Sequence, residues 1–456
     1  MRLTLINHAC CKVEADGLGI LFDPWTDGAA FNAGWDLLIP TPMEFDEIMK
    51  GVSRIWISHE HPDHFSPAFL GRVAKTFGDK VTILFQATRD RRVIDYCRSL
   101  GLAVQELEDG VPTRLSSTVT VTCGAYYFYD SWLHLTDGRH SLLNLNDCPA
   151  RSERDIRAIR RLAPHPTLLL SQFSYAAWKG GRENRGFRAA AAAQKLDTLA
   201  RQIRILQPRF TLPFASLIYF SNEENSYLND AVNTPSAAAN AIDAAGSTPL
   251  VLYPGDTWQV GQPQTDTAVT LARYDHRYRE LATLTLRPPG SSAGLEELRS
   301  AFGKYQAKIL AKNSRLLITL LSKLRPLGVF QPVAVRLRDL DRTVGISVVT
   351  GFSEMPGGGD ADVTLHSSSL LFMFKNEYGF DTLTVNGRFE AGAEGFAKMM
   401  RSFAVGSLNA LGLSVSWRLL FSWRLVLILL RHLIGVLARL RQSDDRRAAP
   451  ARTASD

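Results

Sequence analysis

Short apolar runs separated by turn residues open the chain. Residues 3–6, 11–13 and 19–22 read as three strands of an antiparallel meander, and Asp16-Gly17 supplies a hairpin turn between two of them. The period then lengthens. Pro67–Phe77 carries helical spacing, 81–86 reads as a strand, 91–100 as a helix and 103–106 as a strand. This βαβ rhythm gives way to strands at 118–122, 132–135 and 141–145, the last two joined by Asp137-Gly138. Further strands are predicted at 168–173, 210–214 and 250–253, with an alanine- and leucine-rich helix at 189–206 between them. Strands in two sheets with helices outside predict an α/β fold.

A break follows at Arg287-Pro288-Pro289-Gly290-Ser291-Ser292, whose composition reads as a linker. Beyond it, 295–324 predicts one or two helices and 333–337 and 344–349 predict strands. Residues 362–365 and 382–385 alternate like half-buried strands, Asn386-Gly387 makes a turn, and 396–400 begins a helix. The apolar cluster at 370–374 fits either a tunnel or an ordinary core. The expected organisation is a first domain over 1–287, a smaller α+β domain over 293–410 and a tail over 411–456.

The densest chemistry sits at the end of one apolar run. Residues 55–57 lead into Ser58-His59-Glu60-His61-Pro62-Asp63-His64, and three of the ten histidines of the chain fall in these six positions from 59 to 64. Neutral imidazole with carboxylate suits zinc, iron or manganese. Asp147 ends another predicted strand, either as a further metal ligand or as a helix N-cap in competition with Ser152. Asp256, after the strand at 250–253, is a later candidate whose other reading is a plain turn.

His59-x-His61-x-Asp63-His64 resembles the signature of the metallo-β-lactamase-fold superfamily. Together with Asn7-His8-Ala9-Cys10-Cys11, Ile20-Leu21-Phe22-Asp23-Pro24-Trp25, Leu143-Asn144-Leu145-Asn146-Asp147-Cys148 and Leu212-Pro213-Phe214-Ala215, it is similar to the CMP-N-acetylneuraminate hydroxylase-like branch, over residues 1–285. The resemblance implies an αββα sandwich. It implies a divalent metal, zinc first with iron or manganese as alternatives, held by His59, His61, Asp63, His64 and Asp147. Asp147, 83 residues after His64, would bridge two ions. Asp23 would sit beneath the site and orient a ligating histidine, with Asn146 beside it; a turn aspartate is the other reading of Asp23. The chain departs from the commonest pattern of the family. Only His134 and His140 lie between His64 and Asp147, and His165 follows in a loop. A second metal would therefore rely on carboxylates, Gln172 or Tyr126/Tyr127, or be absent, and oxygen-rich ligation leans toward iron or manganese.

Residues 174–188 mix aromatics, a glycine pair and four cations after a predicted strand. Trp178, Lys179, Arg182 and Arg185 are the expected substrate-binding residues, since guanidinium and ammonium groups hold phosphate. A solvated basic loop is the alternative. The resemblance implies a metal-dependent hydrolase acting on an anionic, phosphate-bearing substrate through metal-activated water, with Asp63 and His64 as the catalytic residues. The alternatives are a non-haem iron oxygenase and a non-catalytic lipid-binding protein. An oxygenase would need a separate reductase, because the sequence shows no Rieske pattern.

Charge refines this picture. The net charge is +7, yet residues 401–456 alone carry nine arginines against three aspartates. The rest is nearly neutral, which excludes a basic nucleic-acid binder. Hydrophobic content of 45% with 21% charged residues describes a globular protein. In 412–441, Trp417, Phe421, Trp423 and the six-residue apolar run 425–430 are interrupted by arginines. That is too short to span a bilayer and suits a helix on an anionic membrane surface. Five cysteines without a C-x-x-C fit a reducing compartment, and residues 1–7 lack the apolar core of a signal peptide. The expected location is the cytoplasm, peripheral to the inner face of the membrane.

Overall fold

Two seven-stranded sheets lie face to face in the computed structural model, which describes residues 1–126, 130–264, 266–324, 327–355, 360–410 and 412–417. The first sheet runs Thr257–Gln259, Arg2–Asn7, Cys10–Ala15, Leu18–Phe22, Val52–Trp56, Thr82–Gln86, Ala103–Leu107. The second runs Thr248–Pro249, Phe210–Phe214, Leu168–Gln172, Ser141–Asn146, Asp130–Thr136, Thr120–Tyr126, Pro112–Arg114. Alternation decides what meets what. Leu3, Leu5, Val13, Ile20 and Phe22 of the first sheet share a core with Leu133, Leu135, Leu142 and Leu170 of the second. The alternate residues Ile6, Leu21, Ile55 and Ile83 face outward and bury Leu70, Val73 and Ile94 from the helices Pro67–Phe77 and Arg92–Ser99. Ile156 and Ile159 of Glu153–Leu162 and Leu199 and Ile203 of Arg185–Leu206 cover the second sheet. This is the αββα sandwich of the metallo-β-lactamase fold.

A smaller α+β unit follows. Its five-stranded sheet runs Gly351–Glu354, Arg342–Ser347, Val333–Leu337, Val363–Leu365, Phe389–Ala391. Helices Leu295–Lys312, Arg315–Lys323, Ser367–Lys375, Gly379–Asn386 and Ala393–Ala410 complete it. Its core is continuous with the first unit, because Trp25, Phe31, Trp35, Tyr175, Trp178 and Phe220 belong to the same buried cluster as Phe380, Leu383 and Phe389. A buried ion pair pins the two together: Arg388 Nε donates to Glu224 Oε2 at 2.8 Å, both side chains only 3% exposed, and Arg388 Nη1 donates to the Asn32 carbonyl at 2.7 Å.

Two expected strands are absent. Residues 382–385 lie in the helix Gly379–Asn386, where Phe380 and Leu383, one helical turn apart, are both buried. Four alternating residues fit either period, and Gly387 acts here as a left-handed helix C-cap at φ 64° rather than as a hairpin turn. Residues 250–253 continue past Thr248–Pro249 without pairing as a strand, because the Gln264 side chain takes both the N–H and the C=O of Val251. The cluster at 370–374 is a core helix, with Leu370, Met373 and Phe374 buried. No helix among the described residues is long and apolar enough to cross a membrane. Of the segment 412–441, residues beyond Trp417 lie outside the described residues. The nearby Val415 is tied to the second unit through Asn313 and Ser314.

Candidate metal centre

The strand Val52–Trp56 lies between two parallel neighbours, and the chain leaves its carboxyl end as Ile57-Ser58-His59. A turn closes with the N–H groups of His64 and Phe65 on the His61 carbonyl, at 3.0 and 2.7 Å. Ser66 then caps the helix Pro67–Phe77 through the Phe69 N–H. Anchored at both ends, the turn projects His59, His61, Asp63 and His64 to one side.

Asp23 fixes this turn from beneath. It follows Leu18–Phe22 at φ 40° and is fully buried. Its Oδ1 accepts the Ser58 N–H at 2.8 Å; its Oδ2 accepts the Ser58 hydroxyl at 2.9 Å, His64 Nδ1 at 3.0 Å and the Asn146 side-chain amide. With Nδ1 donating to Asp23, the Nε2 lone pair of His64 faces the centre.

Six potential ligands converge above Asp23, in two groups of three: His8, Asp63 and His64, then His59, His61 and Asp147. His8 Nε2 and His64 Nε2 each lie 3.3 Å from Asp63 Oδ2. His59 Nε2 lies 2.9 Å from His61 Nδ1. Asp147 Oδ2 stands between the groups, 3.8 Å from His59 Nε2 and 3.7 Å from His64 Nε2, as a carboxylate shared by two cations requires. A seventh group adjoins them. Asp130 begins a strand whose next residue, Ser131, hydrogen-bonds to the Ser58 carbonyl at 2.7 Å.

Electrostatics and unpaired atoms test the fit of a metal. Burial pushes the Asp130 carboxyl up to about 7, reinforced by Asp147. Burial pushes His59 down to about 3 and also lowers His8. Burial would lower His64 too, but Asp63, Asp147 and Asp23 hold it well above its ordinary value. Asp63 Oδ1, Asp147 Oδ1 and His64 Nε2 are buried without hydrogen-bond partners. Oxygen and imidazole acceptors crowded this closely, with orphaned lone pairs, fit divalent cations.

The second unit packs beside the centre through Phe31. Asn386, at the end of Gly379–Asn386, donates to the Phe31 carbonyl at 3.0 Å, and the Phe31 ring packs edge-on against His61 at 5.7 Å. Asn386 leaves no room at Gly34, where a Cβ would lie 2.5 Å from its own. Asp381, on the same helix, is raised by burial and lies within electrostatic range of His61.

The described residues expected from sequence divide between those that meet at the centre and those held elsewhere. His59, His61, Asp63, His64 and Asp147 come together, with Asp23 and Asn146 below them. His8 joins them although sequence spacing did not mark it as a ligand, since it reaches the centre from the turn of the first hairpin at φ 30°. Asp130 likewise stands outside any local pattern. Gln172 instead holds Lys195 and the Ala215 carbonyl. Tyr126 bonds Pro149 and Asp155, and Tyr127 lies outside the described residues. Asp256 accepts the Tyr253 N–H within its own turn. Of the 174–188 loop, Trp178 is buried between the units, 5.0 Å from the Phe389 ring and 4.3 Å from Phe396. Arg182 Nε donates to Glu390 at 2.8 Å and Arg185 to the Asp230 carbonyl at 3.2 Å, while Lys179 is half-buried.

No family model matches the chain. Among curated proteins it is 26% identical over 286 residues to the inactive cytidine monophosphate-N-acetylneuraminic acid hydroxylase of Homo sapiens, covering 58% of this chain and 54% of that protein. It is 25% identical over 256 residues to the corresponding hydroxylase of Danio rerio, covering 52% of this chain and 42% of that one. The chain thus spans about half the length of the curated relatives it matches. Solved structures overlay more loosely. An isothiocyanate hydrolase from Delia radicum gut bacteria gives a TM-score of 0.43 at 16% identity, over 57% of this chain and 100% of that one. CmlA, a diiron β-hydroxylase from Streptomyces venezuelae, gives 0.41 at 13%, over 57% and 54%. The chain is a metallo-β-lactamase-fold protein whose sequence likeness is to the cytidine monophosphate-N-acetylneuraminic acid hydroxylases.

Proposed function

We propose that this chain is a dinuclear metal-dependent enzyme that hydroxylates an anionic small molecule, with iron as its metal. The observation that supports a dinuclear centre is the pair of ligand groups, His8, Asp63 and His64 beside His59, His61 and Asp147, with Asp130 within electrostatic range of them. Imidazole with carboxylate suits iron and zinc alike, and the likeness to the hydroxylases named above is what favours iron. When bound, an iron pair supplies the activation of dioxygen, with electrons from a separate reductase. The residues of the chain do the rest. Asp23 keeps the His64 tautomer and aim. Phe31, held by Asn386, packs against His61, and Trp25 packs edge-on against His8. Burial, reinforced by Asp147, pushes the Asp130 carboxyl up to about 7, and a cation bound beside it would favour its ionised form. The curated relatives are named for hydroxylating a sugar nucleotide, a substrate that carries phosphate.

Hydrolysis through metal-activated water is the second reading. It is favoured by the four imidazoles of the two ligand groups, which suit zinc and its activated water. Elemental analysis of purified protein separates the two, followed by single turnover of the reduced, iron-loaded protein with cytidine monophosphate-N-acetylneuraminic acid and oxygen. Iron, and a product heavier by one oxygen atom, are expected. Zinc, with turnover only of hydrolysable phosphate esters, would move the assignment to the hydrolase.

A further inference from the structure

The guanidinium groups of the loop before Arg185–Leu206, and of its first turn, are engaged by the protein. Arg182 reaches Glu390, Arg185 the Asp230 carbonyl, and Arg188 is fully buried against the Asp230 carboxylate at 2.7 Å. Two lysines beside them differ. Lys179 is half-buried and has neither a hydrogen bond nor an ion pair among the described residues. Lys195, on Arg185–Leu206, turns inward to the side-chain oxygen of Gln172 and likewise has no acidic partner among them.

Gln172 sets where that ammonium sits. It ends the strand Leu168–Gln172, which pairs in parallel with Ser141–Asn146 through Ser171 and Asn146. Asp147 follows directly after the end of that neighbouring strand, so Gln172 and Asp147 stand at adjacent strand ends. Gln172 is itself held by its Nε2 on the Ala215 carbonyl at 3.3 Å, while the Ala215 N–H holds the His8 carbonyl at 3.1 Å. Lys195 is thus fixed to the same strand ends that carry the metal ligands. Burial lowers Lys195 to about 8; the charges of Arg151 and Lys179 add to this, and Asp147 and Asp130 oppose it. Burial also lowers Lys179, and Arg151 adds to it. Lys179, Lys195 and Arg151 are within electrostatic range as cations, neither lysine is in an ion pair among the described residues, and such a group favours an added anion.

We propose that Lys179 and Lys195 form an oxyanion subsite at the edge of the metal centre, which takes the phosphate or carboxylate group of the substrate and sets its reacting part over the metal ligands. This rests on the reading of the centre given above and names what holds the substrate there. The test is calorimetric titration of inorganic phosphate into metal-loaded wild type, Lys179→Met, Lys195→Met and Lys195→Arg, with metal content measured on the same samples. Each methionine variant should bind phosphate about tenfold more weakly at unchanged metal content, as expected for a lost charged hydrogen bond, and Lys195→Arg should recover most of the loss. The subsite is overturned if wild type does not bind phosphate, if both methionine variants bind like wild type, or if Lys195→Met loses its metal, which would make the lysine a counter-charge of the centre. Wild type without metal would defeat the metalloenzyme reading instead. Phosphate binding that still depended on both lysines in that protein would leave the subsite standing.

Discussion

Asp23→Asn changes one atom of the support beneath the metal ligands and leaves its volume unchanged. The carboxylate receives four donors in a fully buried position, one on Oδ1 and three on Oδ2. An amide offers one oxygen and one NH2. If the oxygen replaces Oδ2, the NH2 faces the Ser58 N–H and leaves that buried donor unpaired, costing about 1–3 kcal/mol. If it replaces Oδ1, the NH2 faces His64 Nδ1 and the Asn146 amide. His64 must then accept at Nδ1 and carry its proton on Nε2, the atom aimed at the metal. Loss of a group that orients a ligating histidine costs about 10–100-fold in metal affinity. Competition with a chromophoric chelator measures this, and the ion held by His8, Asp63 and His64 should leave first. Thermal unfolding of the metal-free protein reads the unpaired-donor cost separately. If affinity for both ions stayed within twofold of wild type, the claim that Asp23 positions His64 would be refuted.

His8→Ala should remove one of two ions and spare the other, so stoichiometry falling to zero, or not falling, would contradict its assignment to the Asp63–His64 group. Arg388→Met strands the Glu224 carboxylate between the units and should destabilise by about 3–5 kcal/mol in denaturant titration. The double variant with Glu224→Met should recover most of that; equal losses in single and double variants would show that the charge is not the cause. His134 is pushed down to about 4 by burial, against an ordinary 6.5. The unfolded chain therefore takes up a proton that the folded one refuses, and stability should fall as pH drops from 6.5 toward 4. His134→Gln should flatten that slope in denaturation midpoints measured across pH, and an unchanged slope would contradict the assignment.

The legible parts of this chain were the local ones. His59, His61, Asp63 and His64 announce themselves because one strand end and one turn carry all four. Asp147 and Asp23 were readable as carboxylates at strand ends. His8 was not readable as a ligand, because it comes from a hairpin turn some fifty residues earlier in the chain, where a lone histidine has no periodic context. Asp130 was hidden as well, since a lone carboxylate at the start of a strand says nothing of the Asp147 that it faces electrostatically. The loop at 174–188 shows how far charge alone goes. Its cations and Trp178 pointed to recognition, but nothing in the sequence said that Arg182 and Trp178 would meet Glu390 and Phe389, some two hundred residues later. Helix and strand were told apart where the period ran long, as in Pro67–Phe77, and confused at 382–385, where four residues fit both.

The most direct measurement is the number of metal ions per chain, determined by elemental analysis after loading with iron(II) or zinc(II) and removal of free metal. A centre built from two ligand groups joined by Asp147 predicts two ions in wild type, and loss of at least one in a His59→Ala/His61→Ala double variant that still melts cooperatively. Wild type holding less than one ion, or a double variant holding as many as wild type, would contradict the account.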